Sequence, residues 1–115
     1  MDDEPQLLHL LEKHLRRLGF EVESQSTALS ALSALEASPG RFELVVADLG
    51  LPDMPGDKLV ARLFALQPTL QVLLCSGSEF FVSTLPAEWQ PRVGFLQKPF
   101  GPKQLSEKIH QMLAR

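Results

Sequence analysis

The chain has 115 residues and a formal net charge of −3, a length suited to one domain that buries about two-thirds of its unfolded surface. With 44% hydrophobic and 22% charged residues it is neither disordered by composition nor membrane-like, and its acidic balance excludes direct nucleic acid binding through counterion release. No apolar stretch approaches the roughly 18 residues of a membrane span, and the start Asp2, Asp3, Glu4 is the opposite of a secretory leader, so a cytoplasmic protein without membrane insertion is expected.

Leu7, Leu8, Leu11, Leu15 and Leu18 recur at spacings of three and four with charged residues between them, and Gly19 follows as a stop, which predicts an amphipathic helix. Phe20 to Ser24 alternates apolar and polar residues, the period-2 pattern of a short strand. Ser26 or Thr27 can cap a second helix carrying Leu29, Leu32 and Leu35, closed by Ser38, Pro39 and Gly40. Phe42 to Ala47, ended by Asp48, and Leu70 to Cys75, ended by Ser76 and Gly77, read as strands buried on both faces. The single cysteine, Cys75, lies in that second apolar run as a small buried side chain, and with one cysteine there is no internal disulfide and no thiolate zinc cage. Between these strands come a Pro- and Gly-rich loop around Asp53 and a helix with Leu59, Val60, Leu63, Phe64 and Leu66 inward. Val93 to Gln97 is a last strand, and Pro102 opens a helix carrying Leu105, Ile109, Met112 and Leu113. In Ser78 to Arg92, Pro86 and Pro91 allow only a short helix, placed at Glu79 to Leu85. This alternation predicts an α/β fold with a parallel sheet covered on both faces.

Ligands of such sheets bind beyond the carboxyl ends of the strands. Asp48 and Ser76 close strands there, Lys98 follows a third, and Asp2 and Asp3 precede the first helix, where another strand would end. Carboxylates about 5 Å apart repel by roughly 3 kcal/mol at an effective dielectric near 20, so a cluster of them calls for a cation. An all-oxygen donor set suits a hard ion such as magnesium, Mg2+. A metal with a lysine beside it can neutralise a phosphoryl group while a carboxylate oxygen attacks in line, which implies a transient aspartyl phosphate. Each residue alone has a plainer reading. Asp48 and Ser76 would be caps, Phe95 core, Asp2 and Asp3 an acidic terminus, and Asp53 part of a solvated turn. His9, His14 and His110 show no ligand spacing.

The start Asp2-Asp3-Glu4-Pro5, the block from Val45 to Gly56, the strand end Leu74-Cys75-Ser76-Gly77, and Phe95-Leu96-Gln97-Lys98-Pro99-Phe100 resemble the receiver domain of two-component response regulators over essentially the whole chain. The resemblance implies a flavodoxin-like doubly wound sheet with strand order 2-1-3-4-5. It makes Asp48 the phosphoacceptor and places Mg2+ on Asp2, Asp3, Asp48 and the Gly50 carbonyl. Ser76, Gly77, Phe95, Lys98 and Pro99 become the phosphate-binding and switch set, with a cis bond at Lys98-Pro99. The donor would be a histidine kinase or histidine phosphotransfer protein, and the output a downstream effector or a fused kinase domain, as in hybrid sensor kinases. The chain would catalyse its own phosphorylation and dephosphorylation without being a metabolic enzyme, and a homodimer stays open.

Two features depart from the family. Receivers open with an apolar central strand, and only Met1 stands before the acidic pair, so residues 1–115 read as one receiver domain truncated at its amino terminus. A fragment boundary, an internal start codon and a partner strand filling the slot are the competing explanations. The rival functions are a pseudo-receiver that binds partners without phosphorylation, and a magnesium-dependent phosphatase. The latter would need an acid where Gly50 stands. The second departure is the apolar trio Phe80, Phe81 and Trp89 beside two prolines, of which two are read as core, with a partner surface as the rival.

Overall fold

The computed structural model describes residues 5–50 and 53–113. Four α-helices, α1 (Pro5–Arg17), α2 (Ala28–Ala37), α3 (Gly56–Leu66) and α4 (Pro102–Leu113), accompany three strands, β1 (Leu44–Asp48), β2 (Gln71–Ser76) and β3 (Val93–Gln97). The strands form one parallel sheet in the order β1-β2-β3, the last three members of the predicted 2-1-3-4-5. The register sets Asp48 opposite Cys75 and Ser76 opposite Gln97, so all three strands end at one edge.

Side-chain alternation along the strands explains the layers. Val72 and Leu74 pack with Leu32 and Leu35 of α2 and Leu59, Val60, Leu63 and Phe64 of α3. Leu73 and Cys75 point the other way, into Leu105, Ile109 and Met112 of α4 with Leu11 and Leu15 of α1 beside them. Each fully buried leucine in these layers contributes about 1.5–3 kcal/mol relative to an exposed one. Gly94 of β3 is buried where α4 crosses, and a Cβ there would lie 2.8 Å from Met112 Sδ and 3.0 Å from Lys108 Cε. The close approach of helix to strand needs a residue without a side chain.

Three expectations are corrected. Phe20 to Ser24 forms no strand, because an alternating segment becomes one only when a ladder partner lies beside it. The segment is tied to α1 instead, by Ser24 Oγ donating to Glu12 Oε2 at 2.8 Å and Arg16 donating to the Val22 carbonyl at 2.9 Å. Between it and Leu44–Val46 lies a cavity of about 420 Å³, lined by Leu11, Leu15, Leu35 and Ile109 and, on its polar side, by Glu12, Glu23 and Arg41. Glu79 to Leu85 is not an α-helix; only the single 3-10 turns Val82–Thr84 and Gln90–Arg92 form, as expected where prolines remove donors. Leu66 is exposed rather than inward, since it is the last residue of its helix. Asp53 lies in an exposed turn, as expected, and its carboxylate in addition accepts hydrogen bonds from the amides of Ala28 at 3.1 Å and Leu29 at 3.0 Å, so it caps α2 across 24 or 25 residues of chain.

Candidate functional site

Asp48 ends β1 and is buried, with only 10% of its side chain exposed. A carboxylate so placed must be paired. Its Oδ1 accepts from the amide of Gly50 at 2.9 Å, a local turn that the loop after β1 makes on leaving the sheet. Its Oδ2 accepts from Lys98 Nζ at 3.2 Å, and the lysine side chain is 20% exposed. Lys98 reaches that point because its amide donates to the Ser76 carbonyl at 2.7 Å, which extends the β2–β3 pairing one step beyond the strand end. The amide of Leu49 likewise donates to the Cys75 carbonyl at 2.9 Å. Three strand ends are thereby locked in register, with an acid on the first and an ammonium after the third.

Ser76 ends β2, and its Oγ accepts from the Ser78 amide at 3.1 Å, turning the chain away at Gly77. The Gln97 side chain crosses to the Gly77 carbonyl at 3.5 Å. The Lys98-Pro99 bond is cis, as expected. Phe95, in β3 three residues before Lys98, is half-buried, and its ring lies 5.8 Å from that of Phe80. Trp89 packs on Phe64 at 5.8 Å, which assigns it to the core, whereas Phe81 is 59% exposed.

The loop that carries Gly50 returns to α3 at Gly56, where a Cβ would overlap Leu49 Cδ2. Glycine at that position lets the loop fold back tightly over the strand end. Met54 is buried in the α2/α3 core, which fixes the loop from below.

The structure therefore brings together Asp48, Gly50, Ser76 and Lys98 from the expected set, with Gly77, Phe95 and Pro99 adjoining. Asp2 and Asp3 lie outside the described residues. Among the described residues no three His, Cys, Asp or Glu side chains gather as a metal cluster; Asp48 contributes one carboxylate. That carboxylate and the backbone oxygens of the adjacent loop are hard donors, compatible with magnesium. The contact that sequence reasoning missed is the cap that Asp53 makes on α2. A long-range helix cap leaves no spacing signal, because its partners are backbone amides far away in the chain.

The sequence pattern of the response regulator receiver domain matches residues 1–110. The chain is 32% identical over 103 residues to the sensor kinase CckA of Brucella abortus, covering 88% of this chain but 11% of that protein. It thus spans about a tenth of that relative's length. Among solved structures, a CheY-like response regulator receiver domain protein from Methanospirillum hungatei superposes with a TM-score of 0.85 at 29% identity, over 98% of this chain and 89% of that one. The receiver domain of the hybrid histidine kinase CckA superposes with a TM-score of 0.82 at 28% identity, over 97% and 94% respectively.

Proposed function

We propose that this chain, which belongs to the response regulator receiver domain family, takes a phosphoryl group onto Asp48 from the phosphohistidine of a histidine kinase or histidine phosphotransfer protein. Receivers are signalling modules that work with such kinases and with effectors rather than enzymes of metabolism. The observation that carries the reading is Lys98 Nζ at 3.2 Å from Asp48 Oδ2 at the carboxyl edge of a parallel sheet.

In this reaction a carboxylate oxygen of Asp48 attacks phosphorus in line. The P–N bond to the donor imidazole breaks, its electron pair leaves with the nitrogen, and an acyl phosphate remains. Burial strengthens each electrostatic contact with the charge that moves, so the fixed ammonium of Lys98 offsets the phosphoryl oxygens better than a solvated one. The Gly50 amide keeps the carboxylate oriented, and the Ser76 hydroxyl donates to a phosphoryl oxygen. We assign Asp2, Asp3, Asp48 and the Gly50 carbonyl to magnesium, which when bound supplies charge neutralisation on those oxygens.

The switch set is Ser76, Gly77, Phe95, Lys98 and Pro99. When Ser76 turns toward the phosphoryl group, Phe95 repacks against Phe80, and the change reaches the face around the exposed Phe81. An effector, a kinase domain of the same protein or a second copy reads that face. Acetyl phosphate with magnesium should add one phosphoryl group to the chain by intact mass, and Asp48→Ala should abolish the gain. A gain that persists in Asp48→Ala, or none in the parent chain, refutes the proposal, the latter in favour of the unphosphorylated binding module.

A further inference from the structure

The reaction above makes no use of Asp53, yet the loop between β1 and α3 is built around it. Its two carboxylate oxygens accept separately, Oδ1 from the Ala28 amide at 3.1 Å and Oδ2 from the Leu29 amide at 3.0 Å. These are the first two residues of α2, where the helix has amides without partners of its own. Thr27 satisfies the next one, its Oγ1 accepting from the Ser30 amide at 3.1 Å. The start of α2 is therefore capped twice, once by its own N-cap residue and once by a carboxylate lent from the loop that follows Asp48. The same hydrogen bonds hold the Asp53 carboxyl below its ordinary range, the one from Leu29 most strongly, so the lent group is anionic.

The consequence for the site lies in how the loop is pinned. At one end the Gly50 amide bonds Asp48 Oδ1 at 2.9 Å. At the other, Asp53 is fastened to α2 and the neighbouring Met54 is buried between α2 and α3. Fastening at Asp53, three residues on, restrains the backbone at Gly50, whereas release at Asp53 lets Gly50 lift away from Asp48. We infer that Asp53 is a positioning residue: by fastening the β1–α3 loop to α2 it fixes the backbone at Gly50 against Asp48, where phosphoryl transfer and its cation require it. The inference rests on the phosphoacceptor reading for its functional consequence and on geometry alone for its structural one.

The test compares Asp53→Ala, Asp53→Asn and Thr27→Ala in the full chain. Both alanine variants remove a cap from α2, but only the first releases the loop. Two readouts are taken: amide hydrogen exchange at Gly50, without phosphodonor, and the magnesium concentration for half-maximal phosphorylation by acetyl phosphate. Asp53→Ala should speed exchange at Gly50 several-fold and raise the magnesium midpoint by about tenfold, as loss of a group that orients a ligand does. Asp53→Asn keeps an acceptor and should recover part of both, while Thr27→Ala should leave both near the parent values despite a comparable loss of thermal stability. Equal effects of the two alanine variants, or unchanged Gly50 exchange in Asp53→Ala, overturn the inference. If the parent chain takes no phosphate, the phosphoacceptor reading fails, and the exchange data still decide the positioning role.

Discussion

Removing the ammonium of Lys98 should reveal how strongly the site couples its two charges. Unit charges 3.2 Å apart attract by about 5 kcal/mol at an effective dielectric near 20. Much of that offsets desolvation, because the side chains retain only 20% and 10% of their exposure. Exposed pairs contribute at most about 1 kcal/mol, and breaking a fully buried pair costs about 3–5 kcal/mol. A coupling of about 2 kcal/mol between Asp48 and Lys98 follows. The measurement is a double-mutant cycle with Asp48→Asn, Lys98→Met and the combination, using urea unfolding at neutral pH. The cycle removes each residue's other contacts from the comparison, so the remaining term belongs to the pair. Because the pair is largely withdrawn from solvent, raising the salt to 1 M should reduce the term by less than half. A coupling below about 0.5 kcal/mol, or one abolished by salt, would show that the lysine and aspartate meet only as solvated neighbours. That outcome would remove the electrostatic basis for phosphoryl transfer at Asp48.

Gly94→Ala should destabilise the chain by about 1–3 kcal/mol in urea, since its methyl group would press on Met112 Sδ, and Met112→Ala in the same chain should relieve part of the loss. Ala34→Leu, which extends a cavity-lining side chain into the cavity toward Leu11 and Leu15, should stabilise the fold by about 1–2 kcal/mol, and a lower melting temperature would mean that the cavity does not accept an apolar group. A carboxylate whose pKa is lower in the folded chain contributes fully above the ordinary aspartate value of about 3.9 and loses its contribution as pH falls through the folded value. Asp53 is such a group, so the parent chain should lose stability over that acidic window, and Asp53→Ala should show a shallower loss there in pH-dependent melting. Phe81→Ser should change stability by less than about 0.5 kcal/mol, whereas Trp89→Ala should cost about 3 kcal/mol, and the reverse order would exchange their assignments to surface and core.

What could be read from the residues in order was what short-range patterning encodes. Continuous apolar runs such as Val72 to Cys75 mark a strand buried on both faces, and the alternation of Val72 and Leu74 against Leu73 and Cys75 then divides the core into its two layers. The site was legible for a related reason. In a parallel sheet every strand delivers its last residue to the same edge, so an Asp, a Ser and a Lys at or just after three strand ends must meet there. The contact between Lys98 and Asp48 spans 50 residues of sequence, but only one rule about strand direction is needed to foresee it.

The missing strand at Phe20–Ser24 and the unforeseen cap at Asp53 share one cause. Local sequence describes what a segment is able to do, and the groups that decide between its options lie elsewhere in the chain. Alternation at Phe20–Ser24 qualifies it for a ladder, but the nearest strand, Leu44–Asp48, lies across the cavity, and the segment's polar atoms turn to Glu12 and Arg16 instead. Asp53 lies in a turn and is suited to local hydrogen bonding, yet the amides that need an acceptor belong to Ala28 and Leu29. A helix start with unpaired amides and an acidic loop residue each have many partners available in principle. Their pairing is set by the packing of α2 and α3 across Leu32, Leu35, Leu59 and Leu63, which brings the β1–α3 loop beside the first turn of α2. The hydrophobic layer forms from pattern alone, and the polar contacts at its edge are then selected by proximity. That order explains why apolar positions could be assigned from periodicity while the role of a single carboxylate at the rim could not.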